Sequence, residues 1–292
     1  MDAYATAMTA STDVVRRVSR RLRDLIEPIA ANVYFAPEAQ TAYKKLELSW
    51  IPSYFTSRGA CMGQVPGEMV VMAFGVFEPT MVINAVTEGW SKTDRDSILA
   101  ARETGATESL RNLLGDEPAG RERATELLKR AGEAATFEGR ALSAGLRSLG
   151  FPGNPVGDFW RAADLLREHR GDSHTCAWVA AGVAPVEITL MTELWWKMPL
   201  NTYVRTRGWN EEAIAGGIAS LEAKGYVKDG AFTAEGEAVR ASIESATDEG
   251  ERSVVEALGD DADELFAILE PMAKAIVAAG GYPSDPSQLT RQ

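Results

Sequence analysis

The chain is poor in what common enzymes and nucleic-acid binders rely on. Cysteine occurs twice, at Cys61 and Cys176, too few for a disulfide framework or a zinc finger. Histidine also occurs only twice, at His169 and His174. A Gly-rich phosphate loop, a nucleophile elbow and a dinucleotide fingerprint are all missing, which disfavours the common cofactor enzymes, and no cofactor is expected. No window reaches the roughly 18 apolar residues that a membrane span needs. Residues 1–10 lack the basic start and apolar core of a signal peptide, so a cytoplasmic location without membrane partners is expected. Positive charge is scarce as well. With 42 acidic against 30 basic residues the formal net charge is −12, which repels a nucleic-acid backbone unless the basic side chains are segregated.

What is there is ordinary globular material: 292 residues, 45% hydrophobic and 25% charged, enough for a packed core and for two domains of usual size. After a cap at Ser11, Thr12 or Asp13, apolar residues at Val14, Val15, Val18, Leu22, Leu25, Ile26 and Ile29 form one stripe of an amphipathic helix. Its opposite face carries Arg16, Arg17, Arg20, Arg21 and Arg23, the densest basic cluster in the chain. This reads as a solvated or acid-paired face, with a phosphate contact as the alternative. Pro28 is expected to kink or end the helix.

Residues 37–48 read as a second helix and residues 50–58 as an aromatic-rich turn holding Trp50, Tyr54, Phe55 and Arg58. Residues 74–86 are almost wholly apolar around Glu78, which predicts a buried carboxylate with Arg58 or another cation beside it. Helical segments follow over 93–114 and 121–135. Gly150, Pro152, Gly153, Pro155 and Gly157 then mark residues 149–157 as a linker between an N-terminal domain, 1–148, and a C-terminal one, 158–292.

Beyond that linker lies the segment densest in chemistry, from Leu165 to His174, set between apolar runs. Gly171 is expected to interrupt its helix, with Asp172 or Ser173 capping a new one. On an unbroken helix His169 and His174 stand about 140° apart, unlike a zinc-binding i, i+4 pair, and without a third ligand no metal is expected. The candidate acid/base groups are His169 and His174, oriented by Glu168 or Asp172. Arg167 and Arg170 are candidates to clamp a carboxylate, phosphate or enolate, and an Arg170–Asp172 salt bridge is the structural alternative. Tyr54, Arg58, Phe77, Glu78 and Asp172 complete the candidate ligand site. Trp50, Phe74, Trp195 and Trp196 read as core or as its apolar wall.

Further on, Asn210 caps a helix with Glu211 and Glu212 in its first turn and Ile214, Ile218 and Leu221 as its stripe. Tyr226-Val227, the turn Asp229-Gly230 and Phe232 read as a hairpin, and Thr233 caps the next helix. Helix, short hairpin, helix is a winged-helix order. The run Leu221 to Val227, with Phe232 to Gly236 after it, resembles the recognition helix and wing of regulators of the multiple-antibiotic-resistance (MarR) type. A wider resemblance runs through Tyr34-Phe35, Tyr54 to Arg58, Leu166 to Asp172, Thr233 and Thr247-Asp248. It is to an actinobacterial, SalK-like helix-turn-helix family often found beside natural-product genes, whose members commonly have glycine where this chain has Ser173. Val65 to Val70 and Trp209 to Ile214 also share an order of apolar, turn, turn, Glu, any, aliphatic residues.

The expected fold is therefore mainly α: two tandem degenerate winged-helix-like halves with a small β-hairpin wing and a cavity at their junction. The expected function is binding of a natural product or other metabolite. The alternatives are a cofactor-independent isomerase, cyclase or lyase using His169 or His174, and a MarR-like regulator. The helix from Glu211 offers three glutamates and one lysine where a DNA reader needs Arg, Lys, Asn or Gln, so nucleic acid is not the expected partner. The expected partner is a small molecule, with a homodimer left open.

Overall fold

A computed structural model describes residues 10–285 and residue 288; residues 1–9, scanned above for a leader, lie outside it. The protein is mainly helical. Its helices are α1 (Thr12–Ala31), α2 (Pro37–Lys44), α3 (Trp50–Gly59), α4 (Gly67–Phe74), α5 (Pro79–Lys92), α6 (Arg95–Leu114) and α7 (Arg121–Ala134). They continue as α8 (Ala141–Leu149), α9 (Pro155–Ala180), α10 (Pro185–Trp195), α11 (Glu211–Ala223), α12 (Ala234–Glu249), α13 (Arg252–Leu258) and α14 (Ala262–Ala278). Between α11 and α12 lies the one sheet among the described residues. Its strands β1 (Val227–Lys228) and β2 (Ala231–Phe232) are antiparallel, with Val227 opposite Phe232. Asp229 and Gly230 both have positive φ, 51° and 75°, as a two-residue hairpin turn requires. No single described helix is long and apolar enough to cross a membrane.

Helix α9 organises the rest. Residues 159–166, Phe159 to Leu166, are all buried without a break, so this helix has no solvent face there and behaves as a central core helix rather than an amphipathic one. It packs against α1, α6, α7, α8 and α12. Because Arg161, Asp164, Glu168, His169, Arg170 and Asp172 are buried along it, each needs a partner brought by another element. Gly171 does not interrupt α9, and neither Asp172 nor Ser173 caps a new helix. A helical glycine costs only about 1 kcal/mol relative to alanine, and packing on both sides of Gly171 outweighs that.

Two apolar clusters flank α9. The larger runs from Val15 through Leu166 and closes with Val254 to Ile276. The smaller joins Trp178 to Ile188, Leu190, Val204, Ile214, Leu221, Val227 and Ile243. The larger core thus runs across residues 149–157, where α8 turns into α9, and the change from one core to the other falls inside α9. Residues 50–58 form helix α3 rather than a turn, and Thr93-Asp94 separates α5 from α6, with the Asp94 side chain accepting from Ser97 N. Helix α1 passes through Pro28 to Ala31. Its arginine face is acid-paired: Arg20 with Asp248 at 2.7 Å, Arg21 with Glu270 at 2.7 Å and Arg16 with Asp13 at 2.8 Å.

Candidate functional site

Between the two cores lies a cavity of about 1310 Å³, walled by α1, α3, α9, α10, α12, the chain after α14 and the 3₁₀ turn Tyr203–Arg207. Much of its apolar surface is aromatic. Trp50 stacks on Tyr54 with centroids 5.6 Å apart, and Tyr54 meets Phe77 at 5.8 Å and Tyr34 at 5.1 Å. Trp50, Ile51 and Trp196 line the cavity and are also among the most exposed large apolar residues, which puts them at its mouth.

The polar part of the wall centres on Glu168. Arg58 donates to both its oxygens, Nε to Oε1 at 2.7 Å and Nη2 to Oε2 at 2.6 Å, and Arg167 Nη1 donates to Oε1 at 2.9 Å. Arg58 also lies 4.2 Å over the Phe74 ring and donates to the Tyr54 hydroxyl at 3.2 Å. Burial alone would raise the Glu168 carboxyl, but Arg58 and Arg167 outweigh it and hold it down at about 2. Arg167 is shared with Glu27, its Nε donating to Oε2 at 3.0 Å. Arg170 donates to Asp248 at 2.8 Å and lies 3.5 Å from Glu244. It does not pair with Asp172, which faces another side of α9.

Asp172 lies outside the cavity wall. It accepts from Ser143 N at 3.0 Å and so caps the start of α8; burial raises its carboxyl to about 7. Glu78 is also displaced from its expected place. It is half-buried rather than a core carboxylate, caps α5 by accepting from Thr80 N and Met81 N, and has no part in the cavity wall. Arg58, its expected partner, is committed to Glu168.

The two histidines separate. His169 is fully buried, its Nδ1 2.8 Å from Glu251 Oε1, and it does not line the cavity. His174 does line it, with Nδ1 3.1 Å from the Thr247 hydroxyl. Since Thr247 donates to Ile243 O at 2.8 Å, His174 Nδ1 is the donor to Thr247. Burial, with Arg240 adding to it, pushes His174 down to about 4, so it is neutral at physiological pH. Among the described residues no cluster of His, Cys, Asp or Glu could hold a metal ion.

One wall residue has no counterpart in the sequence reading. Arg207 stands 4.2 Å over Tyr203 and 4.8 Å over Phe77, and its Nη2 donates to the Tyr203 hydroxyl. Burial pushes it down to about 10, and Arg58 and Arg167 push the same way. The loop carrying it is pinned by buried Glu193, which accepts from Asn201 N, Thr202 N and Val204 N at 2.7–2.9 Å. Trp209 Nε1 ties the loop to Val76 O at 3.0 Å. Apart from Tyr203 in its own turn, its neighbours come from far along the chain, Phe77 in the turn before α5 and Tyr54 and Arg58 on α3, so the local pattern around Arg207 does not mark it.

Fold and site together define a helical protein built round an aromatic-walled, arginine-rich cavity of ligand size. The chain belongs to a helix-turn-helix family, whose family model matches residues 19–283. No curated protein and no solved structure matches it.

Proposed function

We propose that this is a small-molecule binding protein, a winged-helix scaffold of MarR-like and SalK-like type repurposed to hold a largely apolar metabolite or natural product. The observation that carries the proposal is the cavity between the two cores, which combines aromatic walls with a few convergent polar groups. DNA recognition is disfavoured at the helix that would perform it. The exposed positions of α11 are Glu211, Glu212, Ala215, Gly216, Ala219, Glu222 and Ala223, none with a side-chain donor to base edges or phosphates. Lys224, just beyond its end, is paired with Glu187 at 2.7 Å.

The enzymatic alternative, a cofactor-independent isomerase, cyclase or lyase, is supported by His174 at the cavity wall. A histidine held near 4 is a weak base at neutral pH, and His169 is sealed behind Glu251, so binding is the preferred reading. The test is a titration with N-phenyl-1-naphthylamine, a neutral aromatic probe, followed by quenching of the wall tryptophans. Saturable one-to-one uptake is expected, weakened about tenfold or more in a Gly171→Trp variant whose new side chain fills the cavity. Uptake that does not saturate, or that ignores the blocking substitution, contradicts the proposal.

A further inference from the structure

The charges on the cavity wall do not balance. Arg23 pairs with Asp24, Arg170 with Asp248, Arg205 with Glu211 and Arg240 with Glu244. Arg58 and Arg167 share Glu168 and Glu27. Arg207 alone has no carboxylate partner among the described residues. Its Nε is buried without an acceptor, its Nη2 is used on the Tyr203 hydroxyl, and its Nη1 has no acceptor among the described residues. In the corner formed by Arg58, Arg167 and Arg207, three guanidiniums thus face two carboxylates, Glu27 and Glu168. A desolvated cation without a counter-charge is costly, yet the Glu193-pinned loop and two aromatic faces hold this one against the cavity.

We infer that the ligand is an anion, an aromatic or otherwise flat apolar carboxylate whose carboxylate sits at Arg207 and whose body lies along Tyr54, Phe77 and the mouth tryptophans. The ligand carboxylate supplies the charge that the wall lacks, and Arg207 is the residue that selects for it. The aromatic faces of Tyr203 and Phe77 keep the guanidinium in place while the site is empty. This inference rests on the cavity being a binding site and adds the chemical class of what enters it.

The experiment compares two probes of one shape, anthracene-2-carboxylate and anthracene-2-carboxamide, by fluorescence titration on the full chain. The wild type is expected to bind the carboxylate about tenfold or more tighter than the amide, as for a hydrogen bond to a charged group. Arg207→Met should bring the two affinities together by weakening the carboxylate alone. Arg207→Lys, which keeps a cation, provides a second measurement. A buried lysine loses its proton within reach of alkaline buffers and arginine does not, so its carboxylate preference should fade between about pH 7 and about pH 10 while the wild-type preference persists. A preference that survives in Arg207→Met, or that does not titrate in Arg207→Lys, overturns the assignment. Equal binding of both probes by the wild type overturns the anion and leaves the cavity reading standing; binding of neither overturns both.

Discussion

Arg58 and Glu168, 110 residues apart in the chain, meet as a two-pronged ion pair at 2.6 and 2.7 Å with the Phe74 ring under the guanidinium. Glu168 on α9 thereby fixes the position of α3, and with it Tyr54 on the same helix, so the pair sets the shape of the cavity wall. Glu168→Gln leaves two half-buried cations, Arg58 and Arg167, short of a buried counter-charge and should cost about 3 kcal/mol in chemical denaturation. The wild-type carboxyl is held below its ordinary 4.5, at about 2. Its contribution is therefore full above about pH 4.5 and is lost as pH falls toward 2. The variant should lack that acid-sensitive limb; a parallel limb in both proteins would assign it to other groups.

Asp172 and His174 should tilt the pH dependence in opposite directions. Asp172 is raised from 3.8 to about 7, so the stability it contributes is present below pH 3.8 and is lost as pH rises toward 7. His174 is lowered from 6.5 to about 4, so its contribution is full above pH 6.5 and is lost as pH falls toward 4. Asp172→Asn keeps an acceptor for Ser143 N and should expose a melting temperature that rises with pH between 4 and 7. His174→Gln should expose one that falls over the same range, and the double variant should be nearly flat. Identical profiles for the two single variants would refute the opposed assignment.

Gly171 sits in an unbroken helix, and a Cβ built there meets only Glu168 Oε2, at 3.7 Å. Gly171→Ala should therefore stabilise the protein by roughly 0.5–1 kcal/mol, as in any unstrained helix interior, with probe uptake preserved. A loss of stability would mean that the backbone at this position is not helical in solution.

The arginine face of α1 should divide by burial. Arg20, whose side chain is 35% exposed, and Arg170, at 10%, share Asp248. Arg20→Gln should cost no more than about 1 kcal/mol, as exposed pairs do, whereas Arg170→Met should cost several times more. The triple change of Arg16, Arg17 and Arg20 to Gln should leave N-phenyl-1-naphthylamine affinity within a few-fold of wild type. A large loss of uptake in a folded triple variant would place these arginines in the function.

Much of the local structure was legible in the residues alone. The stripe from Val15 to Ile29 made α1. Asn210 and Thr233 accept from Ala213 N and Gly236 N as helix caps, and Asp229-Gly230 turns the hairpin. These features depend on residues three or four apart, where chain connectivity already supplies the contact. The charge-rich run from Arg167 to Asp172 is the segment where cavity and core meet. The side each of its residues faces could not be read, because the helix-weakening effect of Gly171 is outweighed by packing of the helix before and after it. Its partners arrive from far along the chain: Arg58 for Glu168, Glu251 for His169, Asp248 for Arg170 and Ser143 N for Asp172. Glu78, which composition placed in the core, instead caps α5 by accepting from the neighbouring Thr80 N and Met81 N. Arg207 carried no local mark at all. Only the tertiary structure, by bringing α3, the turn before α5 and α9 together beside it, leaves it without a carboxylate partner among the described residues, since which charges end up adjacent is decided by packing between elements and not by spacing within them.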